Sequence, residues 1–268
     1  MLLSEVFRRH RTIYLLAVGH ALVALSLAVS VPESILHDMH VGIGYIRYRP
    51  WTRAGAPSQA AVTRYTGVIR TWLICLIACT AVVAISFTRI DVPLALHLRD
   101  ANRFLSPLNE AFGTAIILSA ESAVVLALVL ARLVRGHISL LAENVAIACL
   151  SSICAYGINS HVLKVFFGVP DPIAVMHGAG HAFHLWAGEE TSSFPSGHMV
   201  LAGAFAGVFM RLYKITIWPL AALLLVAAGL LVAGGWHFLS DVIAGAFLGL
   251  SAGMLAGEGR AAHLATLR

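Results

Sequence analysis

Two histidines and an aspartate stand where they could carry phosphoryl chemistry at the edge of a membrane. The run Ser193-Phe194-Pro195-Ser196-Gly197-His198 precedes one long apolar segment, and His237-Phe238-Leu239-Ser240-Asp241 opens another, its histidine 39 positions after the first. His198 and His237 are side chains able to exchange a proton or attack near neutral pH. Asp241 follows His237 by four positions and so shares a helix face with it. From there it can hold the imidazole in the tautomer that leaves the other nitrogen free. Ser196 and Gly197 lead into a helix whose first N–H groups are unpaired and whose dipole favours an anion, a seat suited to phosphate. Ser196 adds a hydroxyl and Gly197 permits close backbone approach. Lys164 supplies a point positive charge.

These residues require a frame that brings them to one level. Apolar residues make up 59% of the 268 and charged residues 12%, with mean hydropathy +0.85. A soluble domain carries about 25% charged residues, so the chain reads as integral to a bilayer. About 17–25 apolar residues cross a hydrocarbon core. The segments of that kind are 13–31, 69–87, 110–132, 139–160, 198–213, 215–235 and 238–257, the fifth being the shortest. The expected fold is all-α: a polytopic membrane helical bundle with six core spans plus one N-terminal apolar helix. The expected divisions are 1–68 (apolar helix and Arg-bearing loop), 69–257 (six-span domain) and 258–268 (C-terminal tail). The mixed stretch between Arg89 and Pro107 reads as a helix lying at the interface. Arg8, Arg9 and Arg11 precede a run too long for a signal-peptide core, which favours a retained span.

The net charge of +5 comes without a dense Lys/Arg run, so nucleic acid is not an expected partner. Cys75, Cys79, Cys149 and Cys154 lie in apolar segments and read as small buried hydrophobes. Arg70, Arg132, Arg135, Arg211, Lys214 and Arg260 fall at one set of span ends, with Arg47, Arg49, Arg53 and Arg64 on the same side. Arg89, Arg99, Arg103 and Lys164 fall at the other. The larger set should face the cytoplasm, which puts the histidines on the non-cytoplasmic face, although Arg8, Arg9 and Arg11 count against that orientation if 13–31 spans.

The motifs resemble those of the type 2 phosphatidic acid phosphatase family, membrane lipid phosphatases related to vanadium haloperoxidases. The family pattern is Lys-x6-Arg-Pro, then Pro-Ser-Gly-His, then Ser-Arg-x5-His-x3-Asp. It is met here at Lys164 and Pro172, at Pro195-Ser196-Gly197-His198, and at His237 and Asp241. The resemblance covers about residues 70–257. It implies a lipid-phosphate phosphatase of a bacterial inner membrane, needing no metal or other cofactor and acting on a phosphate monoester or pyrophosphate. By the same resemblance His237 would be the nucleophile that forms a phosphohistidine, Asp241 its orienting partner and His198 the acid. Lys164, Ser196 and the Gly197 amide would hold phosphate oxygens.

Two positions depart from the pattern. Asp171 stands where the family has an arginine before Pro172, and Leu231 stands where it has one six residues before His237. Losing two bidentate donors should weaken binding of a phosphate dianion. Compensation by His177, His181 or His184, a phosphodiester substrate for headgroup transfer, and a catalytically degenerate homologue all follow as alternatives. A metal site at His177, His181, His184, Glu189 and Glu190 would require that loop to be helical. Glu121, mid-span, reads equally as a path for protons or substrate and as a structural carboxyl. Phe183, Trp186, Phe194 and Trp236 read as an interfacial aromatic belt.

Overall fold

Long apolar stretches without strand-like alternation make helices, and the computed structural model shows only helices and turns among the residues it describes, 59–99, 113–189 and 192–266. The expected N-terminal span 13–31, its arginines and Glu190 lie outside the described residues. From Val62 onward the described residues fall in one compact unit.

The first helix, α1 (Gln59–Ile85), passes through a π-helical turn, Ser86–Ile90, directly into α2 (Asp91–His97). The widened turn sits just upstream of Pro93, whose ring cannot donate to the carbonyl four residues back. The expected interfacial helix is therefore, up to His97, the continuation of a span. α3 (Thr114–Arg135) ends at Gly136 in the left-handed conformation. α4 (Leu140–Ile158) is capped by Ser139 and runs on through a second π turn, Asn159–Leu163, into α5 (Lys164–Phe167). A short α6 (Pro172–Met176) precedes the loop that leads to α7 (Gly197–Leu212). α8 (Ile217–Ala233) returns, and α9 (Leu239–Thr266) closes the described chain. Among the described residues five helices are long and apolar enough to cross a membrane, and the apolar Gly197–Leu212 helix is shorter. α9 runs past the boundary expected at 257, because Arg211 pairs with Glu258 and Arg260 pairs with Glu143 and Asn144, which holds the last turns on the bundle.

Large apolar side chains stand open on the outer faces, among them Ile77, Leu133, Trp218, Leu225 and Leu255. A water-soluble protein does not leave so much apolar surface uncovered. Together with the long apolar helices it makes this an integral membrane protein. Cys75 and Cys154 also lie on exposed helix faces, so of the four expected buried cysteines only Cys149 is fully enclosed.

The centre of the bundle is the pair α7 and α9, which run parallel with their N-termini together. Glycines at 245, 249, 253 and 257 form a stripe along α9. A Cβ on Gly249 would lie 2.5 Å from the Val200 carbonyl oxygen, and one on Gly253 would lie 2.1 Å from that of Ala204. Gly203 and Gly207 of α7 press back on Leu250 and Met254. Without hydrophobic drive between helices in lipid, such backbone-to-backbone packing is the main source of cohesion. Polar contacts add to it: Ser152 of α4 donates to the Leu201 carbonyl at 3.0 Å. At the end distant from the histidines, Glu143 accepts from Arg132 and Arg260, and Asn144 joins Tyr213 to Arg260.

Candidate functional site

The turn before α7 is held from three directions. Ser193 donates its N–H to the Val169 carbonyl at 2.8 Å, and Asn159 donates its side-chain amide to the Pro195 carbonyl at 3.2 Å. The Ser196 N–H meets the Asp241 carbonyl at 3.0 Å. The Phe194–Pro195 peptide is cis. Phe194 packs in the core with Val169 and Ala244, so it is not part of a surface belt as expected. Ser196 is the N-cap of α7, accepting from the Met199 N–H at 3.4 Å. Gly197 is required by a neighbour: a Cβ there would lie 2.8 Å from the Tyr156 ring. His198, one residue further, is only partly buried, with Trp236 beside it.

The second half of the site is made by the α8–α9 turn. Gly235, with φ of 67°, lets the chain reverse after α8. Asp241 occupies the third position of α9 and accepts from the Phe238 N–H at 2.8 Å, the return half of a capping box. Its backbone carbonyl meanwhile binds Ser196, so one residue ties both motif turns together.

The imidazole of His237 lies between the two halves. Its Nε2 faces His198 Nδ1 at 3.4 Å. On its other side, Nδ1 is 3.5 Å from Asp241 Oδ2 and 3.3 Å from Ser193 Oγ. The Ser193 hydroxyl donates to the same carboxylate oxygen. The expected direct Asp241–His237 hydrogen bond is thus replaced by a serine relay: His237 Nδ1–H to Ser193 Oγ, then Ser193 O–H to Asp241. That chain fixes the proton on Nδ1 and leaves a lone pair on Nε2, so in the closed pair His198 Nδ1 carries the proton between the rings. His237, Asp241 and Ser193 are all buried, and Asp241 Oδ1 has no hydrogen-bond partner. Ser193 begins the motif, but nothing in its spacing distinguishes it from Ser192.

Lys164 does not lie past the fourth span, as expected, but inside its helical continuation, 9% exposed. It follows Asn159 by one π-helical turn, and Asn159 is bonded to Pro195, so this face of the helix abuts the turn at Pro195–Gly197. Neither arginine-replacing residue takes the place of a phosphate donor. Asp171 caps α6, accepting from the Ala174 N–H at 2.7 Å. Leu231 is buried with Met199 and Val242.

The three loop histidines separate. His177 binds the Ile173 carbonyl through Nδ1, at 2.8 Å. His184 uses its backbone N–H on Phe167. His181 turns inward: its ring stacks on Phe87 at 4.1 Å and against Phe238 at 4.4 Å. α6 ends at Met176, so His177 and His181 lack the helical spacing that paired ligands need. Burial holds the His181 imidazole below its ordinary range, while Asp91 and Asp241 pull the other way. Asp91 itself, missed by the sequence reading, is buried in α2 and binds Ser240 through both oxygens. Glu121 lies two turns into α3, with Oε2 buried and without a hydrogen-bond partner.

Comparison with known families detects a PAP2-superfamily domain over residues 144–258. That stretch contains Ser193, His198, His237 and Asp241 and excludes α1, α2 and α3. No curated protein and no solved structure matches the chain.

Proposed function

We propose that the protein is a lipid-phosphate phosphatase of the membrane, cleaving a phosphate monoester or pyrophosphate through a phosphohistidine. The observation that carries this is the pairing of His237 Nε2 with His198 Nδ1 at 3.4 Å, while the opposite nitrogen of His237 faces Ser193 and Asp241.

In the reaction the phosphate enters between the two rings and His198 swings aside. His237 Nε2 gives its lone pair to phosphorus, the P–O bond to the lipid breaks, and His198, entering the cycle as the imidazolium, gives a proton to the departing oxygen and is left neutral. The positive charge left on His237 is offset by Asp241 through Ser193. In the second half His198 takes a proton from water, whose oxygen attacks phosphorus. The P–N bond breaks, and free phosphate leaves with the His237 lone pair restored. Lys164, the Ser196 hydroxyl and the Gly197 N–H are the groups assigned to the phosphate oxygens.

The basic end of the bundle carries Arg70, Arg132, Arg135, Arg211, Lys214 and Arg260, which supports a non-cytoplasmic site in a bacterial inner membrane. The lipid then reaches His198 laterally from the bilayer.

One observation favours a second reading, transfer of a headgroup from a phosphodiester. Leu231 fills an arginine's position with buried apolar surface, and a diester carries one charge to compensate instead of two. Phosphate release from a panel of lipid phosphates, wild type against His237→Ala, separates the two. Free phosphate from the wild type alone supports hydrolysis. A transferred headgroup with no free phosphate supports the second reading, and no product with any lipid would refute both.

A further inference from the structure

An acidic residue inside a membrane-spanning helix costs several kcal/mol unless it is paired, and Asp91 is paired in an uncommon way. It is 1% exposed, and both its carboxylate oxygens bind one residue, Ser240. The Ser240 N–H meets Oδ1 at 3.1 Å, and the Ser240 hydroxyl meets Oδ2 at 2.5 Å. Two contacts to a single residue fix orientation as well as distance.

Ser240 is the second residue of α9, where the helix leaves its own N–H groups unpaired. Asp241 satisfies the N–H of Phe238 from within the turn, and Asp91 satisfies that of Ser240 from another helix. The α9 N-terminus, with His237 just before it and Asp241 in its first turn, is therefore pinned to α2, the continuation of α1. The π turn Ser86–Ile90 immediately precedes Asp91, and an inserted residue of this kind re-aims whatever follows it. His181 closes the cluster, with Nε2 3.7 Å from Asp91 Oδ2, a spacing too long for a hydrogen bond, and its ring between Phe87 and Phe238.

We propose that Asp91, acting through Ser240, is a positioning residue that sets where His237 and Asp241 stand relative to Ser193 and His198. The proposal rests on the phosphatase reading for its kinetic arm, but its spectroscopic arm does not. Asp91 lies outside the stretch that matches the family, and the contact spans 149 positions of sequence.

The experiment uses full-length protein in lipid nanodiscs, with Asp91→Ala, Asp91→Asn and Ser240→Ala. Turnover of a lipid phosphate is measured beside the ¹⁵N resonances of labelled histidine, with His237→Ala assigning the His237 signals. In Asp91→Ala the expected result is a fall in kcat of about 10²-fold with KM within about twofold, as for a reacting group displaced by roughly 1 Å. The His237 resonances should change from one tautomer to a mixture. Asp91→Asn keeps an acceptor for the Ser240 N–H and should recover most of kcat and the single tautomer.

Wild-type kcat and spectrum in folded Asp91→Ala would overturn the proposal. So would equal losses in the alanine and asparagine variants. Should Asp91→Ala not fold, Ser240→Ala decides: removal of one hydrogen bond should lower kcat about fivefold, and an unchanged kcat and spectrum would count against the pin. If the wild type releases no phosphate from any lipid while Asp91→Ala still alters the His237 signals, the positioning role stands and the phosphatase reading falls.

Discussion

Asp171 gives its carboxylate to the backbone N–H of Ala174, 2.7 Å away. A residue that in sequence looks like a repulsive charge in a phosphate pocket is the cap of a short helix. Replacing it with alanine should cost about 1 kcal/mol, or about 2–4 °C in the melting temperature of a protein of this size. Asparagine caps as well as aspartate and should restore the melt. Equal melts for Asp171→Ala and the wild type would show that the cap is idle.

The Ser193 relay makes a distinct claim about catalysis. With a 3.5 Å gap between His237 Nδ1 and Asp241 Oδ2, the carboxylate acts on the imidazole chiefly through the Ser193 hydroxyl. Ser193→Ala should lower kcat by about 10²-fold, the cost of a misoriented reacting group, with a much smaller change in KM. Steady-state kinetics on a detergent-solubilised lipid phosphate measures both, and wild-type turnover in this variant would mean that the aspartate orients His237 unaided.

Acid should weaken the fold through His181. Its imidazole, depressed by burial, binds a proton less readily in the folded protein than in the unfolded chain. Stability from this group is then complete above its unfolded value, near 6.5, and is lost as pH falls below that toward the depressed folded value. Thermal melts of the wild type and His181→Phe between pH 7.5 and 5 should diverge in this window, the wild type falling more steeply. Parallel curves would contradict the assignment.

The glycine stripe can be tested by contrast. Gly253→Ala drives a Cβ into the Ala204 backbone, whereas Gly259→Ala meets nothing within 4 Å. The first should abolish a monodisperse peak in size-exclusion chromatography. The second should be tolerated and even raise the melt slightly, since alanine is favoured over glycine in a helix by about 1 kcal/mol.

Hydropathy placed most helix ends from 110 onward to within a few residues, but α1 begins at Gln59 and its continuation α2 ends at His97, while α9 runs on to Thr266. Asp241 could be set beside His237 because four positions make about one helical turn. Ser193 and Asp91 were not legible in this way. An apolar run marks a span without marking which face turns inward, so Asp91 looked like one charge in a mixed interfacial stretch. Its partner, Ser240, lies in another helix. Leu231 and Asp171 were seen as losses of charge, while their actual contacts, a packed cluster and a backbone N–H, depend on neighbours that no local pattern contains. Phe194 was misplaced for the same reason, since aromatic residues near span ends serve belts and cores alike. The glycine stripe was visible in sequence, at every fourth residue of α9, as a repeat of small residues with no motif attached.

That stripe has a mechanical consequence. His198 rides on α7 and His237 at the head of α9, and main chain rests directly on main chain between them. A seam of this kind has no rotamers to compress and no soft side chain to yield. The gauge between His198 and His237 is thereby kept like the spacing of two rails on one sleeper. The motion that the proposed reaction asks for is then supplied by the imidazole of His198 turning about its own bonds.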